Sequence, residues 1–290
     1  MRKIIIIGAD GQLGTDLMIE LEKRNDLQSV GSTIADLDVT DFEGVRKRLT
    51  AEAPDIAVNT SAYHRVDEVE TNAAKAFLVN VEAVFNMAKV CGELNCALVH
   101  FSTDYVFGGP PEEMPYIESD CPRPESIYAV SRLAGEYVIE PYCEKHFVIR
   151  SCGLYGHAGP MGKSSNFVET MLKLAQSGKA IRVVNDQRCT PTFTRHLAQK
   201  VIELITSDKY GLFHMTSTGD CTWYEFAKKI FELAGVEADL SPCTTAEYPT
   251  PAKRPAYSVL DNMALRNHGF ADLPHWHDAL AEYLRDRKTK

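Results

Sequence analysis

The sequence predicts an α/β protein built on a doubly wound parallel sheet, with a smaller C-terminal domain interleaved with it. Two observations lead to this fold class. Short runs of β-branched residues alternate with longer helical patterns through the first half of the chain, whereas the second half is less regular. Such alternation favours a parallel sheet that helices cover on both faces. We therefore expect a first domain over 1–150 and a second over 151–290, some of whose segments return to the first.

The first half contains the clearer elements. We predict strands at 3–9, 27–33, 55–62, 96–102 and 146–151, and helices at 13–24, 41–52, 72–95 and around Tyr128. The run KIIIIGA at 3–9 is typical of a buried strand, whereas Leu13, Leu17 and Leu21 recur at the spacing of one helix face. A loop marked by prolines, over 110–124, precedes the Tyr128 helix.

The second half mixes helices, short strands and one irregular segment. Helical patterns cover 166–179, 194–208 and 222–235, and strand-like patterns cover 181–186 and 211–216. The segment YPTPAKRP at 248–255 carries three prolines in eight residues, which excludes a regular element there.

Composition excludes several classes of function. The 290 residues carry a formal net charge of −9, which argues against binding to nucleic acid or to an anionic membrane, although a local basic pocket is compatible with it. No apolar stretch reaches the length of a signal peptide core or a membrane span, so we expect a cytoplasmic protein. The eight scattered cysteines predict reduced thiols, and HWH at 275–277 lacks the partners of a metal site.

Three glycines stand between the first strand and the first helix. Gly8, Gly11 and Gly14 form a G-x-x-G-x-x-G pattern directly after four isoleucines. Such glycines permit a tight turn and let backbone N–H groups approach a pyrophosphate at the positive helix N-terminus. The pattern predicts a Rossmann-type dinucleotide site, and a plain strand–helix turn is the alternative.

The end of the second strand bears on the choice of dinucleotide. An acidic residue there would bond the ribose 2′-OH of NAD, but residues 31–33 read Gly-Ser-Thr. The missing carboxylate leaves room for a 2′-phosphate, so we favour NADP(H), with NAD(H) as the alternative. Asp38 either approaches the adenine or caps a helix beginning near Thr40.

Two further segments indicate carbonyl chemistry. STDY at 102–105 ends a buried strand, where open α/β sheets bind their ligands. Tyr128 precedes Arg132 by four residues, which places a phenol and a permanent cation on one helix face. A phenol beside a cation can donate a proton to a carbonyl that is being reduced. The alternatives are a turn-capping cluster at 102–105 and an ordinary helix face at 128–132.

These segments together resemble a known family. The chain is similar to extended short-chain dehydrogenase/reductases and, more narrowly, to the dTDP-4-dehydrorhamnose reductases. The resemblance runs nearly end to end and is carried by the glycine turn and by segments 55–70, 102–109, 128–136, 166–175, 183–192 and 248–262.

The resemblance implies a role for each catalytic residue. Tyr128 would donate a proton to the C4 ketone oxygen of a sugar as hydride arrives from the nicotinamide, and Thr103 would hydrogen-bond the same oxygen. Arg132, at the position of the family's lysine, would hold the nicotinamide ribose. Its positive charge favours the ionised phenol, so we expect it to bring the pKa of Tyr128 down toward working pH.

Further binding residues follow from the resemblance alone. It implies cofactor contacts at Gly8, Gly11, Gln12, Leu13, Gly14, Asp38, Val39, Ser61, Ala62, Tyr63, Asn80, Tyr128 and Arg132. It implies substrate contacts at Val66, Asp104, Tyr105, Asn166, Lys253 and Arg254, the last two on the proline-rich loop and suited to a diphosphate; a solvated basic loop is the alternative. Some relatives bind Mg²⁺ between subunits, but nothing in this sequence identifies such a site.

The sequence departs from the family pattern at three places. Arg132 replaces the usual lysine, and because its fork is wider than an ammonium group we expect slower chemistry, though not its loss. Cys152 and Gly153 stand where Ser-Trp is usual, which removes an aromatic wall for the sugar. Ser126 replaces a common asparagine.

The leading hypothesis is an NAD(P)H-dependent reductase of a nucleotide-linked 4-keto-6-deoxy sugar, most simply dTDP-4-dehydrorhamnose, working as a monomer or homodimer. One alternative is a regulatory subunit resembling the beta subunit of methionine adenosyltransferase, against which the intact Tyr128 and Thr103 argue. Another is a sugar-nucleotide epimerase or dehydratase, which would retain its cofactor and show no net oxidation.

Overall fold

The computed structural model describes residues 1–109, 114–158 and 166–287. The strands are β1 (Arg2–Ile7), β2 (Leu27–Ser32), β3 (Ile56–Asn59), β4 (Ala97–Thr103), β5 (His146–Ser151), β6 (Leu154–Tyr155), β7 (Ile181–Val184), β8 (Arg188–Cys189), β9 (Thr192–Phe193), β10 (Gly211–His214), β11 (Cys221–Thr222) and β12 (Leu240–Cys243). The loop predicted over 110–124 lies partly outside the described residues.

The helices alternate with these strands. They are α1 (Gln12–Glu22), α2 (Phe42–Glu52), α3 (Val66–Val69), α4 (Ala73–Phe77), α5 (Ala83–Glu93), α6 (Ile127–Tyr137), α7 (Phe167–Gln176), α8 (Thr194–Ile205), α9 (Trp223–Ala234), α10 (Met263–Asn267) and α11 (Trp276–Arg287). A π-helical turn, Leu78–Glu82, joins α4 to α5, and a 3₁₀ turn, Asp104–Val106, follows β4. None of the described helices is both long and apolar enough to cross a membrane.

Six strands form the central sheet in the order β2–β1–β3–β4–β5–β10, and every neighbouring pair is parallel. The strand order reverses between β1 and β3, where doubly wound sheets open a crevice for ligands at the carboxyl ends of their strands. The predicted Rossmann-type sheet is confirmed. Each segment singled out for chemistry in the first half of the sequence lies at this carboxyl edge or on α6.

The isoleucine run explains why the first strand is central. Ile4 and Ile6 pack into a core with α1 and α8, and Ile5 and Ile7 pack into a second core with α2 and α5. All four are at most 1% exposed. Burying one such side chain contributes about 1.5–3 kcal/mol, so this strand holds both helical layers to the sheet.

The later part of the chain contributes to two packed regions. The predicted strand at 211–216 becomes β10 and extends the central sheet beside β5. A separate core joins α7, α9 and α11 around Tyr155, Phe193 and Phe226. The domain division at residue 150 stays a prediction.

Two helices differ from their predicted form. The single helix predicted over 72–95 is interrupted by the π-helical turn, where the Asn80 side chain accepts a bond from the Tyr63 backbone N–H at 2.9 Å and donates to its carbonyl. The helix expected near Thr40 begins at Phe42, and its cap is Asp41. Asp38 accepts instead from the Thr40 N–H at 2.9 Å, so the capping role considered for it was wrong.

A glycine lets α6 approach the π-helical turn. A methyl group at Gly135 would lie 2.3 Å from the carbonyl oxygen of Asn80, a backbone atom that cannot move aside as a flexible side chain could. This contact sets the distance between α6, which carries Tyr128, and the turn that carries Asn80. A larger residue at position 135 would separate the two.

We expect Gly135→Ala to lower the free energy of unfolding by about 1–3 kcal/mol, because the overpacking outweighs the higher helix propensity of alanine. Chemical denaturation measures the change. Val130→Ala, at an exposed position of the same helix, is the control and should change stability by less than about 0.5 kcal/mol. Equal stability of the two variants would contradict the close contact.

Candidate active site

The glycine turn forms a cradle that fits a pyrophosphate. Gly8 has a φ of +83°, and its N–H and that of Ala9 donate to the carbonyl of Ser32 at 2.8 and 3.0 Å. A methyl group at Gly14 would lie 2.1 Å from the Gly8 oxygen, so only glycine allows α1 to start this close to β1. Gly11 is the N-cap of α1 and has no side chain to bond the first N–H groups of the helix. The first turn of the helix holds no acidic residue. The helix N-terminus is therefore open to an anion.

The other predicted cofactor residues surround this turn. Ser61, Ala62 and Tyr63 form the loop after β3, which Asn80 holds through Tyr63. The Gln12 amide donates to the Leu154 carbonyl at 3.1 Å, and its buried oxygen has no partner among the described residues. The side chains of Leu13 and Val39 lie in the hydrophobic cores, so these residues present mainly backbone atoms to the turn. These assignments stay predictions.

Two charged residues near the end of β2 escaped the sequence reasoning. The Asp36 carboxylate accepts from both the backbone N–H and the hydroxyl of Thr33 at 2.9 Å, and the first of these bonds lowers the pKa of Asp36. Arg48, on α2, adds a smaller attraction. An acid three residues beyond the expected position gave no signal in the motif, which covers only the end of the strand. A local turn, in which the Asp36 and Leu37 N–H groups donate to the Thr33 carbonyl, brings it back to the strand end.

Tyr128 lies in the first turn of α6. Ser126 caps this helix by accepting from the Ala129 N–H at 3.2 Å, so the serine fills the helix-capping role at this position. The Glu70 carboxylate accepts from the Ile127 N–H at 2.9 Å and adds negative charge at the same helix N-terminus. The Tyr128 ring packs edge-to-face on Tyr105, with ring centroids 5.9 Å apart.

Arg132 is a buried cation with unused donors. Its side chain is on the same face of α6 as Tyr128, and the residue is 4% exposed. Nη2 donates to the carbonyl of Phe101, whereas Nε and Nη1 have no partner among the described residues. Glu136, one turn further along, is occupied by Arg150 and Ser102. These two unused donor nitrogens in a dry site fit the paired hydroxyls of a ribose, the role expected for this residue.

The pKa of Tyr128 differs from the expectation. Part of its surface reaches solvent, but the dense surroundings raise the pKa of the phenol through desolvation, and this outweighs the lowering by Arg132 and by the hydrogen bond with Thr103. The prediction that Arg132 would bring the pKa of Tyr128 down toward working pH was therefore wrong in its net direction. The phenol stays protonated at neutral pH, which is the state a proton donor needs.

Thr103 and its neighbours lie beside Tyr128 at the end of β4. The Thr103 oxygen accepts from the Tyr105 N–H at 3.2 Å, and its hydroxyl lies 3.2 Å from Oδ1 of Asp104. Asp104 is buried, and burial raises its pKa to about 6. Thr103, Tyr105 and Tyr128 thus bring three hydroxyl groups together next to one buried carboxyl group.

Both basic residues of the proline-rich loop are paired with acids. Arg254 bonds both oxygens of Asp67, at 3.1 and 2.9 Å, and Lys253 bonds Glu125 at 2.6 Å. Arg254 also interacts with Tyr105, which brings this loop to the Tyr128 cluster. Val66 opens α3, next to Asp67. Two ion pairs thus join the loop to the first half of the chain.

Asn166 has structural partners. Its side-chain oxygen caps α7 by accepting from the Glu169 N–H at 3.0 Å, and its amide donates to the Gly156 carbonyl at 2.8 Å. The substrate contact expected of it stays a prediction. Among the described residues, no three histidine, cysteine or acidic side chains are grouped as metal ligands would be.

Comparisons with known proteins agree with this geometry. A family model described as the RmlD substrate binding domain matches residues 1–289. The chain is 39% identical to the spore coat polysaccharide biosynthesis protein SpsK of Bacillus subtilis (100% of this chain, 99% of that protein). It is 34% identical to dTDP-4-dehydrorhamnose reductase of Escherichia coli (99% and 98%). The solved dTDP-4-dehydrorhamnose reductase of Bacillus anthracis, in complex with NADP, superposes with a TM-score of 0.92 at 35% identity (98% and 99%).

The chain belongs to the dTDP-4-dehydrorhamnose reductase family. Its departure from the family's usual Ser-Trp has a structural counterpart. Gly153 has a φ of +53°, and a methyl group there would lie 3.2 Å from the Pro191 Cα and 3.3 Å from the Trp223 ring. The aromatic ring of Trp223, on α9, therefore lies directly beside Gly153, a neighbour that no local pattern in the sequence predicts.

We expect Tyr128 to ionise above the ordinary pKa of tyrosine, near 10, and Arg132→Met to raise its pKa further, since the variant loses the attraction of the guanidinium for the phenolate. NMR titration of ¹³C-labelled tyrosine, with Tyr128→Phe for assignment, measures both values. Arg285→Met, at an exposed position, removes one positive charge elsewhere and should leave the Tyr128 curve in place. A wild-type value below 10 would contradict the dominance of burial.

Proposed function

We propose that this chain reduces the C4 ketone of a nucleotide-linked 4-keto-6-deoxy sugar with NADPH, most simply dTDP-4-dehydrorhamnose to dTDP-rhamnose. The observation that carries the proposal is the cluster of a protonated Tyr128, the Thr103 hydroxyl and a buried Arg132 with two unused donors. This cluster lies at the same sheet edge as the glycine turn. The names of the relatives support the substrate class.

Tyr128, Thr103 and Arg132 have separate roles in the proposed reduction. A bound nicotinamide supplies the hydride. Tyr128 transfers its phenolic proton to the ketone oxygen, and Thr103 donates a hydrogen bond to that oxygen as negative charge develops on it. Arg132 holds the ribose hydroxyls through Nε and Nη1, and its charge stabilises the phenolate that Tyr128 becomes. Solvent then returns the proton to Tyr128.

NADPH is the cofactor we assign, with NADH as the alternative. The Bacillus anthracis relative was solved with NADP, and the cradle formed by Gly8, Gly11 and Gly14 suits the pyrophosphate of either dinucleotide. Asp36, after β2, repels a 2′-phosphate, whereas Arg48, on α2, attracts it. The ratio of kcat/KM for NADPH to that for NADH therefore decides between the two cofactors. The same assay with and without a chelator tests for Mg²⁺.

The diphosphate of the substrate would meet an ion-paired loop. Arg254 and Lys253 carry the charge that a diphosphate needs, but each is bonded to a carboxylate of the first half of the chain. We propose that the diphosphate competes with Asp67 and Glu125 for these two cations. Partly exposed ion pairs of this kind contribute only about 0–1 kcal/mol each, so a dianionic ligand can displace them.

The two alternatives have less support. A regulatory subunit would need no protonated phenol beside a buried cation with free donors. An epimerase or dehydratase would return the hydride to its product, so a net loss of reduced nicotinamide excludes it. A cytoplasmic location and a monomer or homodimer stay predictions.

We expect the chain to consume NADPH when dTDP-4-dehydrorhamnose is added, and Tyr128→Phe to lower kcat by about 10²–10⁴, because it loses the proton donor. The fall in nicotinamide absorbance measures the rate. Tyr137→Phe, 62% exposed on the same helix, is the matched control and should keep the wild-type rate. Tight NADPH binding without turnover of any nucleotide keto-sugar would defeat the proposal.

We expect Trp223→Ala to raise KM for the nucleotide sugar about tenfold, because it removes the aromatic surface beside Gly153, while KM for NADPH stays constant. Steady-state kinetics with each substrate varied in turn separates the two constants. Tyr224→Ala is the control, since Tyr224 lines a different groove with Lys228 and Phe231. An equal effect of both variants would show that the loss is one of helix packing.

A further inference from the structure

The Thr103 hydroxyl lies at a junction with more neighbours than it can serve at once. Its oxygen accepts from the Tyr105 N–H, its proton points to Oδ1 of Asp104, and it also bonds the phenol of Tyr128. The proposed reaction further requires it to donate to the ketone oxygen. A threonine hydroxyl has one proton and two lone pairs. With one lone pair given to Tyr105, the direction of the remaining bonds decides what is left for the substrate.

An ionised Asp104 orients these hydrogen bonds away from the substrate. A carboxylate only accepts hydrogen bonds, so it takes the single Thr103 proton. The free lone pair of Thr103 then accepts the proton of Tyr128. In that case Thr103 has no hydrogen bond to donate to the ketone oxygen, and the proton that Tyr128 should transfer is held by Thr103.

A protonated Asp104 reverses the direction of these hydrogen bonds. The Ser258 hydroxyl donates to Oδ2 of Asp104 at 2.6 Å, so Oδ2 serves as the carbonyl oxygen and Oδ1 is left to carry the proton. Oδ1 then donates to Thr103, which is free to donate its own proton, while Tyr128 keeps its proton for the ketone. The geometry of Ser258, Asp104 and Thr103 needs no movement of heavy atoms for this change.

The surroundings of Asp104 favour the protonated form. The residue is 3% exposed, and in the described part of the chain it forms no ion pair with an arginine, lysine or histidine. Burying a carboxylate without a cation is costly, and protonation removes that cost. Its hydrogen-bond partners are instead the hydroxyl groups of Thr103 and Ser258 and the thiol of Cys152, which can bond either form, together with its own backbone N–H, which lowers its pKa less than burial raises it.

We propose that Asp104 acts as a protonated carboxylic acid that sets the direction of the Thr103 hydroxyl, and that its ionisation blocks proton delivery to the substrate. Asp104 is thus a positioning residue that works through Thr103. The inference rests on the proposed reductase function and adds a pH dependence to it.

The pH range follows from the groups around Asp104. Burial raises the pKa of Asp104 to about 6, so the acid form predominates below that pH and the carboxylate above it. Burial also raises the pKa of Tyr105, Tyr128 and Cys152, away from this range. The guanidinium groups of Arg132 and Arg254 stay charged, and the thiol of Cys189 lies beyond Cys152. The carboxyl group of Asp104 therefore changes charge first as the pH rises through this range.

The test compares kcat at pH values from about 5.5 to 8 in three proteins. The wild type should lose rate about tenfold per pH unit above the Asp104 pKa. In Asp104→Asn the amide donates to Thr103 at every pH, so the decline should vanish whatever the absolute rate. Ser258→Ala removes a bond that lowers the pKa of Asp104, so its decline should move to higher pH. Tyr137→Phe should keep the wild-type profile.

Several results would overturn the inference. One is a wild-type rate that does not fall in this range; another is the same decline in Asp104→Asn; a third is a shift to lower pH in Ser258→Ala. ¹³C NMR of the Asp104 carboxyl group, assigned with Asp104→Asn, follows its ionisation without turnover. A carboxylate already at about pH 5 refutes the role of Asp104. Absence of turnover at every pH refutes the reductase function instead.

Discussion

The buried ion pair between Glu136 and Arg150 holds the site together. Both side chains are at most 5% exposed, Nη2 of Arg150 lies 2.7 Å from Oε2 of Glu136, and Ser102 donates to the same carboxylate. The Glu136 carboxylate thus joins α6 to β5 through Arg150 and to β4 through Ser102. Because Arg150 and Ser102 satisfy Glu136, this carboxylate does not draw Arg132 back along the helix. The guanidinium of Arg132 thereby keeps two donors for a ligand, at a position that the ion pair beneath it fixes.

The sequence predicts the parts of the fold that depend on local pattern. The isoleucine run, the glycine turn and the helical spacing of Leu13, Leu17 and Leu21 each act within a few residues, and the structure places β1 and α1 as expected. The π-helical turn at Leu78–Glu82 could not be predicted from a local pattern, because its Asn80 side chain bonds a loop seventeen positions earlier in the chain. Trp223 beside Gly153 escaped prediction for the same reason, because the two residues are far apart in the chain. Asp36 escaped because the motif ends at the strand and does not include the local turn with Thr33.

Arginine in place of lysine has consequences that the residue type alone does not reveal. Spacing on the helix places the cation beside Tyr128, but one of the donors of Arg132 is used by the Phe101 carbonyl. The guanidinium group thus bonds to β4 through Nη2 and still offers donors on two nitrogens, Nε and Nη1, whereas an ammonium group presents its donors from one atom. The substitution changes how the cation is held more than whether it can bind paired hydroxyls.

Burial acts on the three ionisable groups of the site in different ways, and their ordinary pKa values explain the outcome. Desolvation raises the pKa of Tyr128 and lowers that of Arg132, but the phenol and the guanidinium start so far above neutrality that each keeps its working state. A lysine starts about two to three pKa units below arginine and would be closer to losing its charge in an equally dry pocket. The ordinary pKa of an aspartate lies well below neutrality, so the same burial raises the pKa of Asp104 to about 6, close to neutral pH. One dry pocket therefore fixes two protonation states and leaves the third responsive to pH.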